Sequence, residues 1–223
     1  MSKAKRTYGD ACGIARALDA VGDRWALMVV RELLVGPKRF SDIRAGLPAL
    51  SADVLSQRLR NLEEVGVVRR ATLPAPYSFK VYELTPSGHE LEPVLMALGR
   101  WGGANAPPPA EGQCMSFDSH IISLRTLFSP ERAGDLEADY ELRLQNGPFR
   151  VRVAGGEAEI VPGEAVGADT VITGAVEDIF DVVRGRRELA EAEAAGDIEL
   201  SGDRALGERF FTLFPLPEPA PAA

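Results

Sequence analysis

The sequence contains few of the residues on which disulfide-rich and metal-binding proteins depend. Only two cysteines, Cys12 and Cys114, occur among its 223 residues, which is too few for a disulfide framework and is typical of a reducing compartment. The only histidines are His89 and His120, and together with the cysteines they have spacings unlike those of compact zinc sites. We therefore expect no metal centre.

Long apolar runs are equally scarce. No stretch reaches the roughly 18 residues that would indicate a membrane span, and the basic start at 1–7 leads into no apolar segment of a signal peptide. These absences predict a cytoplasmic protein that makes no membrane contact. The P-loop, G-x-S-x-G and H-E-x-x-H motifs are also missing, so we expect neither an enzyme nor a cofactor.

Charge is distributed unevenly along the chain. The net charge of the whole chain is −8, which on its own argues against nucleic-acid binding. Residues 1–106 contain 15 Lys and Arg against 11 Asp and Glu, a net of +4, whereas residues 107–223 contain 10 against 22, a net of −12. Because affinity for phosphate depends on local basic residues, the first half remains a candidate for DNA binding and the second half does not.

The length of the chain is enough for two modest cores, and one segment divides it. Residues 102–112 contain consecutive glycines and three prolines without apolar periodicity. Prolines favour extended backbone, so the segment predicts a fairly stiff linker. We expect a domain at 1–101, a linker at 102–113, a second domain at 114–215 and a tail at 216–223.

Apolar periodicity in the first half predicts several helices and one hairpin. Two of the helices carry apolar stripes, one formed by Ile14, Ala17, Leu18 and Val21, the other by Leu91, Val94, Leu95, Leu98 and Trp101. The predicted helices are 12–21, 25–35 with Asp23 as its cap and the most apolar circumference, 40–45, 52–65, and 86–101 with Thr85 as its cap. The predicted strands are 67–72 and 77–84, joined by a turn at 73–76.

The helix predicted at 52–65 is short, sharply bounded and polar on one side. Ser51 is a good N-cap, and Gly66 occupies the position of the left-handed residue that follows many helices. Leu55, Leu59 and Leu62 are spaced to form the buried stripe.

This order of elements is that of a winged helix-turn-helix, in which the recognition helix enters the major groove and the hairpin contacts phosphates or the minor groove. We predict base contacts from Ser56, Gln57 and Arg60. The predicted phosphate contacts are Arg39, Ser41, Arg69, Arg70 and Lys80. The alternative is a small helical domain on which these residues form only a solvated face and a charged hairpin.

Separate motifs in the first half resemble, in order, the HxlR branch of the MarR-like winged-helix regulators. They lie between residues 11 and 101 and comprise Cys12 with Ile14, Asp23-Arg24-Trp25, Arg39-Phe40-Ser41-Asp42-Ile43, the segment 55–63, Gly66-Val67-Val68, Tyr82-Glu83-Leu84-Thr85 and Trp101. The resemblance implies a homodimer built through the first and last helices. It also implies an inverted-repeat operator on double-stranded DNA, with one recognition helix in each half-site.

Cys12 has two interpretations. Some members of that family use a cysteine near this position as an oxidation sensor, but here Gly13 follows where the family often has proline, and the first basic neighbour is Arg16. A reactive cysteine needs exposure and a stabilised thiolate, whereas free cysteines are usually buried. We expect a small buried residue, with a redox sensor as the alternative.

The second half predicts an antiparallel sheet covered by helices, which places the whole chain in the α+β class. The predicted strands are 140–144, 149–153, 158–161, 170–173 and 198–200, with Asn146-Gly147 and Gly155-Gly156 as turns. The predicted helices are 115–128, a short one that starts at Ser129-Pro130, 176–184 and a closing one through Leu206 and Phe214.

Segments 168–174, 176–185, 196–203 and 210–214 resemble the sterol-carrier-type fold, and the likeness covers about residues 116–215. The resemblance implies an apolar cavity between sheet and helices for a lipid or another hydrophobic small molecule. In a regulator this molecule would be an effector, because a ligand that prefers one DNA-affinity state shifts the population toward it. The alternative is a filled core that serves dimer contacts.

Two functions are therefore compatible with the sequence. The first is a dimeric, ligand-responsive DNA-binding transcriptional regulator. The second is a lipid-binding or carrier protein whose winged helix mediates protein contacts.

Overall fold

The computed structural model describes residues 7–74, 78–107, 109–110 and 112–217. The chain divides into two compact units, Met1–Leu95 and Met96–Ala223. Tyr77, which was expected at the start of a strand, lies outside the described residues, as do parts of the expected linker and the end of the expected tail. All residues predicted to contact DNA belong to the first unit.

The first unit contains the predicted helices and hairpin. Its elements are α1 (Gly13–Val21), α2 (Ala26–Leu33), α3 (Phe40–Gly46), α4 (Ala52–Glu64), β1 (Val68–Thr72), β2 (Lys80–Leu84), α5 (Pro86–His89) and the start of α6 (Glu92–Asn105). β1 and β2 pair antiparallel, with Val68 opposite Leu84 and Thr72 opposite Lys80. The predicted winged helix-turn-helix is confirmed.

α2 and α4 supply the centre of this unit. Val29 and Val30 on α2, and Leu55 and Leu59 on α4, are 0% exposed, and Leu62 is 1% exposed. The leucine stripe predicted from the i, i+4, i+7 spacing is therefore buried as expected. Burial of such a side chain stabilises the fold by about 1.5 to 3 kcal/mol, so this apolar seam fixes the position of α4.

The start of α2 differs from the prediction. Asp23 does not cap this helix, because the N-cap position is occupied by Trp25, which makes no side-chain capping bond. The N–H of Ala26 donates to the carbonyl of Asp23 at 2.9 Å, closing a turn in which Trp25 has a φ of 80°. A left-handed non-glycine residue costs about 1 to 2 kcal/mol. The turn leaves the Asp23 carboxylate available to another helix.

The single helix predicted after Thr85 is two helices. Thr85 caps α5 as expected, since its hydroxyl accepts the N–H of Gly88 at 3.1 Å, but α5 ends at His89. Pro93 explains the break because it has no N–H to donate to the carbonyl of His89 and its ring crowds that carbonyl.

The second of these helices, α6, extends beyond the expected start of the linker. It continues through Gly102 and Gly103 to Asn105. Two glycines weaken a helix but do not end it, whereas the residue before a proline is driven out of helical backbone. Ala106, which precedes Pro107, is accordingly the first residue after the helix.

Two helices of the first half expose apolar side chains. Ile14 and Leu18 on α1 are 73% and 42% exposed, and Val94, Leu98 and Trp101 on α6 are 52%, 50% and 63% exposed. The first set has i, i+4 spacing and the second has i, i+4, i+7 spacing, so each lies on one helix face. We call these sets the α1 stripe and the α6 stripe. Contiguous exposed apolar faces of this kind mark interaction surfaces.

The second unit contains one sheet and the remaining helices. Its elements are α7 (Phe117–Leu127), α8 (Pro130–Ala133), β3 (Ala138–Leu144), β4 (Gly147–Ala154), β5 (Glu157–Pro162), β6 (Thr170–Gly174), α9 (Val176–Val183), α10 (Leu189–Ala195), β7 (Ile198–Gly202) and α11 (Arg204–Phe210). The predicted α+β class, with a sheet and helices in the second half, is confirmed.

The sequence predicted a purely antiparallel sheet, but the sheet in the structure is mixed. Its order is β5-β4-β3-β6-β7, and β3 pairs with β6 in parallel, while the other three pairings are antiparallel. The parallel pair arises because β5 and β6 are not neighbours, so the segment 163–169 must cross the sheet instead of closing a hairpin. The N–H groups of Ala165 and Asp169 anchor this crossover, donating to the Glu141 carboxylate and the Asp139 carbonyl at 2.9 and 2.8 Å.

The two hairpin turns of the sheet agree only partly with the predictions. Leu144 pairs with Gly147, so the first turn consists of Gln145 and Asn146, one residue earlier than expected. Gly155 and Gly156 form the second turn with φ values of 57° and 76°. Two positive φ angles are what a tight hairpin requires, and the predicted turn is confirmed.

One face of the sheet forms the core of the second unit. Tyr140, Leu142, Val151 and Ile172 are 0% exposed. The ring of Tyr140 lies 5.2 Å from that of Phe210 on α11, so α11 covers this face. The alternating positions face the other way and are charged or half-buried, as in Glu141, Arg143, Arg150, Arg152 and Glu159.

Candidate nucleic-acid interface

Residues next to α4 in the sequence cap this helix at both ends. The Ser51 hydroxyl accepts the N–H of Val54 at 3.4 Å, as expected of an N-cap. At the other end Gly66 has a φ of 73°, and its N–H donates to the carbonyl of Glu63 at 3.1 Å. The next N–H, that of Val67, donates to the carbonyl of Leu62 at 2.9 Å. These are the two bonds of a Schellman ending, so the helix presents a defined length.

The outward face of α4 carries polar side chains that bond to one another. Gln57 and Arg60 are exposed, and Ser56 is half-buried. Arg60 Nη2 donates to Gln57 Oε1 at 2.9 Å, and the side-chain amides of Gln57 and Asn61 lie 2.7 Å apart. We call Arg60, Gln57 and Asn61 the polar row. Residues three and four positions apart on a helix are neighbours, so the row follows one side of the helix.

Two residues that were not predicted as site residues connect the polar row to the turn before α2. The carboxylate of Asp23 forms an ion pair with Arg58 and lies 3.3 Å from the side-chain amide of Asn61. Asp23 lies 38 residues from Asn61 and 35 from Arg58 along the chain. Contacts between residues so far apart along the chain cannot be predicted from a local sequence pattern.

Arg39 and Ser41 lie at the start of α3 around a single carboxylate. Arg39 Nε donates to Asp42 at 2.9 Å, and the Ser41 hydroxyl donates to the same carboxylate at 3.0 Å. The hydrogen bond from Arg39 is the main cause that lowers the pKa of Asp42. The Arg39 guanidinium also stacks over the ring of Phe79 at 5.0 Å, next to Lys80. The exposed Phe79 was not indicated by the sequence.

The strand register distributes the basic residues of the hairpin over two faces. Arg69 lies opposite Glu83 and Arg70 lies opposite Tyr82. Because side chains alternate along a strand, Arg70 and Lys80 project from one face and Arg69 from the other. The structure therefore brings Arg70 and Lys80 together but separates Arg69 from them.

Arg70 also connects the hairpin to α4. Its Nε donates to Glu63 at 2.8 Å, and its guanidinium lies 5.6 Å from the centre of the Tyr82 ring. Arg69 is paired instead with Glu83 across the hairpin at 2.7 Å. The Arg70 face of the hairpin is thus the one that adjoins α4.

A short third strand segment holds the start of α3 beside the hairpin. Lys38 N–H donates to the Tyr82 carbonyl at 2.9 Å, and Tyr82 N–H donates back to Lys38 at 2.8 Å. The carboxylate of Glu32, which is 0% exposed, lies 3.5 Å from Lys38 Nζ and also pairs with Arg31. A buried charge needs such partners, so α2, α3 and the hairpin are tied together at this point.

Cys12 is exposed, so the expectation of a buried residue is wrong. It occupies the N-cap position of α1, and its N–H donates to the Asp10 carboxylate at 2.9 Å. The helix start faces solvent because α1 buries only Ala15 and Val21.

The described residues contain neither a helix suited to a bilayer nor a cluster of metal-binding side chains. Among residues 7–74, 78–107, 109–110 and 112–217, no helix is both long enough and apolar enough to cross a bilayer. Within the same ranges, no group of three or more His, Cys, Asp or Glu side chains could hold a metal ion.

A polar-faced helix that is capped at both ends and adjoined by a basic hairpin defines the winged helix-turn-helix class of DNA-binding modules. Residues 20–109 match the model of the HxlR-like helix-turn-helix family. The chain belongs to this family, and it is a transcriptional regulator of the winged-helix type.

The relatives that show the family cover the first half of the chain. Over 86 residues the chain is 43% identical to the uncharacterized HTH-type transcriptional regulator YvaP of Bacillus subtilis, which spans 39% of this chain and 80% of that protein. Over 94 residues it is 35% identical to the uncharacterized HTH-type transcriptional regulator sll1512 of Synechocystis, spanning 42% and 70%. The reduced form of the regulator YodB from B. subtilis matches with a TM-score of 0.39 and 30% identity, covering 45% of this chain and all of that one.

Proposed function

We propose that the protein binds an inverted-repeat operator as a homodimer and reads base edges with the first turns of α4. The observation that carries this proposal is the exposed pair of Gln57 and Arg60 on the outward side of a helix whose other side is buried. Glutamine can pair with adenine and arginine with guanine through two hydrogen bonds each. Ser56 is the third base contact in this proposal.

In the same proposal the phosphate contacts come from α3 and the hairpin. Arg39, Arg69 and Arg70 have side chains that are 50%, 61% and 66% exposed, and each pairs with an exposed or half-buried acid. Ion pairs between exposed groups contribute little to stability, so these arginines can exchange their acids for phosphates. Ser41 and Lys80 complete the set, and the Arg70 face that adjoins α4 is the face we orient toward DNA.

The α1 stripe and the α6 stripe support the homodimer. Both consist of apolar side chains that remain 42% exposed or more, although each has the spacing of a buried helix face. The resemblance to HxlR-type regulators assigns the first and last helices of the winged domain to dimer contacts. We therefore propose that a second copy of this chain covers both stripes.

An effector role for the second unit has one specific observation in its favour. The Tyr140 hydroxyl is buried and has no hydrogen-bond partner among the described residues. Burial raises the pKa of Tyr140 to about 12, so this group stays a neutral donor. Buried hydroxyls normally find a partner, and the polar end of a mainly apolar small molecule would supply one.

Salt-dependent DNA binding tests the main proposal. The full chain is titrated onto duplex from its own promoter region at about 50 and 200 mM salt. Since each neutralised phosphate releases counterions, 6 to 10 phosphate contacts should lower the affinity by about 10³ to 10⁵ over this range. Absence of duplex binding even at the lower salt would refute the proposal and favour a carrier protein whose winged helix contacts proteins.

Native mass spectrometry of the purified chain tests the effector. A co-purifying apolar molecule that is lost from Tyr140→Phe supports the proposed ligand. A mass equal to that of the bare chain, together with an unchanged melting temperature after incubation with lipid extract, would assign the second unit a filled core.

A further inference from the structure

The phosphate contacts proposed above come from the hairpin and the start of α3, which lie together on one flank of α4. Arg70 joins the hairpin to α4 through Glu63, over 2.8 Å. The start of α3 belongs to the same flank, because Lys38 just before it exchanges two backbone hydrogen bonds with Tyr82 of β2. The other flank of α4 carries no phosphate contact in the proposal.

The turn before α2 lies on that other flank. Its Asp23 carboxylate forms an ion pair with Arg58, whereas the hairpin reaches Glu63. Because an α-helix has 3.6 residues per turn, Arg58 and Glu63 fall on either side of the buried leucine stripe of α4. The proposed base contacts Gln57 and Arg60 lie on the side away from that stripe. The face that carries them is therefore bordered by the hairpin on one side and by this turn on the other.

A helix in the major groove has a phosphate backbone along each side. The groove is about 12 Å wide, and an α-helix with its side chains has a diameter of about 10 to 12 Å, so the helix fills the groove and both backbones run close to it. Contacts to these phosphates fix the register and orientation of a protein on the duplex. With α4 in the groove, the turn before α2 borders the backbone opposite the one that the hairpin contacts.

This turn places an arginine at its outer corner. The N–H of Ala26 donates to the carbonyl of Asp23 at 2.9 Å, and Trp25 has a φ of 80° and a ψ of −15°, which are the angles of the third residue of a type II turn. Arg24 and Trp25 are therefore the two central residues of the turn. Arg24 is exposed and Trp25 is half-buried.

The guanidinium of Arg24 is held in place but not neutralised. It lies 5.3 Å from the centre of the Trp25 ring, a distance at which an aromatic ring attracts a cation. In the part of the chain that the structure describes, no carboxylate pairs with it. Stacking uses the face of the guanidinium and leaves the N–H donors in its plane, where they match the oxygens of a phosphate. The proposed phosphate contacts that must first exchange an acid are Arg39, Arg69 and Arg70.

We propose that Arg24 is a further phosphate contact, and that it binds the DNA backbone on the flank of α4 opposite the hairpin. The inference rests on the proposed function of α4 as the reading helix. It gives each half-site phosphate contacts on both sides of that helix.

Ethylation interference tests this with the full chain and duplex from its own promoter region, because each ethylated phosphate that weakens binding marks a contact. Wild type should show interference on both backbones beside α4. Arg24→Ala should lose the group of phosphates on one backbone, and Arg70→Ala the group on the other. Each variant should also lower the slope of log affinity against log salt by about 1. Its affinity should accordingly fall about 3.5-fold less than that of wild type between about 50 and 200 mM salt.

Two further variants act as controls. Arg24→Lys keeps the positive charge, and lysine also binds phosphate, so it should keep the wild-type slope and interference pattern. Arg152→Ala removes an exposed arginine of β4, outside every element proposed to contact DNA, and should change neither. The interference that Arg24→Ala retains on the hairpin side shows that this variant is folded.

The outcomes separate the inference from the proposed function. If Arg24→Ala keeps the wild-type slope and pattern while Arg70→Ala loses its group of phosphates, the inference is wrong and the proposed function stands. Loss of the same phosphates in Arg24→Ala and Arg70→Ala would place Arg24 on the hairpin flank and would also overturn the inference. If wild type binds no duplex, both fail.

Discussion

Arg60 and Arg70 are both arginines on the proposed DNA-binding surface, but their surroundings give them different roles. Arg60 bonds to Gln57 on the outward face of α4, whereas Arg70 bonds to Glu63 and lies against Tyr82 on the hairpin. We expect Arg60→Ala to cost about 1 to 3 kcal/mol on the selected sequence and to relax the preference at one base pair. Fluorescence anisotropy with the selected duplex and its single-base variants measures this.

Arg70→Ala should instead weaken binding to all sequences alike and reduce the slope of log affinity against log salt by about 1. Arg152→Ala is the matched control, because Arg152 is an exposed arginine on β4, outside every element proposed to contact DNA, and it should leave the slope unchanged. Uniform losses on every sequence for both Arg60→Ala and Arg70→Ala would show that Arg60 does not read a base.

We expect His120 to make the stability of the second unit depend on pH. His120 is 7% exposed, its Nδ1 lies 2.9 Å from the Ser116 carbonyl and its ring meets the Phe180 ring at 5.0 Å. Burial is the largest cause that lowers the pKa of His120 from its ordinary 6.5. The unfolded chain therefore binds the proton more readily. This contribution to stability is complete above the ordinary pKa and is lost as the pH falls below it.

We expect the free energy of unfolding of the full chain to decrease as the pH falls from about 7.5 to 5.5, and His120→Asn to flatten this dependence. Asparagine can still donate to the Ser116 carbonyl, so the variant should remain folded. His89→Asn changes an exposed histidine and should behave like wild type. Superimposable pH profiles for wild type and His120→Asn in chemical denaturation would contradict the assignment.

The residues that the sequence identified correctly depend on near neighbours. Ser51 and Gly66 act within one turn of α4, so a short window contains all the information needed. Asp23 could not be identified in this way, because its partners Arg58 and Asn61 reach it only after the helices have packed. Because Asp23 lies just before α2, the sequence suggested that it caps this helix. Trp25 takes the cap position with left-handed backbone, and no sequence pattern predicts that conformation for a tryptophan.

The end of α4 can be tested by itself. Gly66 has a φ of 73°, and a Cβ added there would meet nothing within 4 Å. Gly66→Ala should therefore destabilise the protein by backbone strain alone, about 1 to 2 kcal/mol. Gly66→Asn should cost less, since asparagine tolerates the left-handed region. Urea unfolding followed by circular dichroism measures both.

Gly13→Ala is the matched control for this experiment. Gly13 lies in the first turn of α1 with equally open space around it, but it has helical backbone, so alanine should be neutral or stabilising by about 0.5 to 1 kcal/mol. An equal cost at both positions would mean that the left-handed ending does not determine the effect.

Element order was predictable because periodicity and turn residues are local, but pairing partners were not. Pro93 interrupts the helix after Thr85, a break that the continuous apolar stripe concealed. The parallel pair of β3 and β6 depends on where the segment 163–169 crosses the sheet, and each strand alone shows the same alternation in either direction. The sequence patterns therefore predicted the five strands of the sheet but not the parallel pairing of β3 with β6.

The apolar faces of α1 and α6 that are left in solvent indicate a contact with another surface. The periodicity of α1 and α6 predicted stripes, and within the single chain much of each stripe has no cover. A stripe that is regular in sequence but exposed in the folded chain is explained if the covering surface belongs to another copy. A twofold dimer would also present two copies of α4 to the two halves of an inverted repeat.

Charge in the stripes should therefore separate the two copies. We expect wild type to sediment with the mass of two chains at micromolar concentration, and Leu98→Glu and Ile14→Glu to sediment with the mass of one, because burying an unpaired carboxylate is costly. Val166→Glu is the control, since Val166 is fully exposed but lies outside both stripes, and it should remain dimeric. The monomeric variants should also lose most of their affinity for a full inverted repeat while binding a single half-site as weakly as wild type does. If both stripe variants remain dimers with unchanged dimer affinity, the dimer interface lies outside the stripes. If wild type sediments as a monomer, the proposed dimer is wrong.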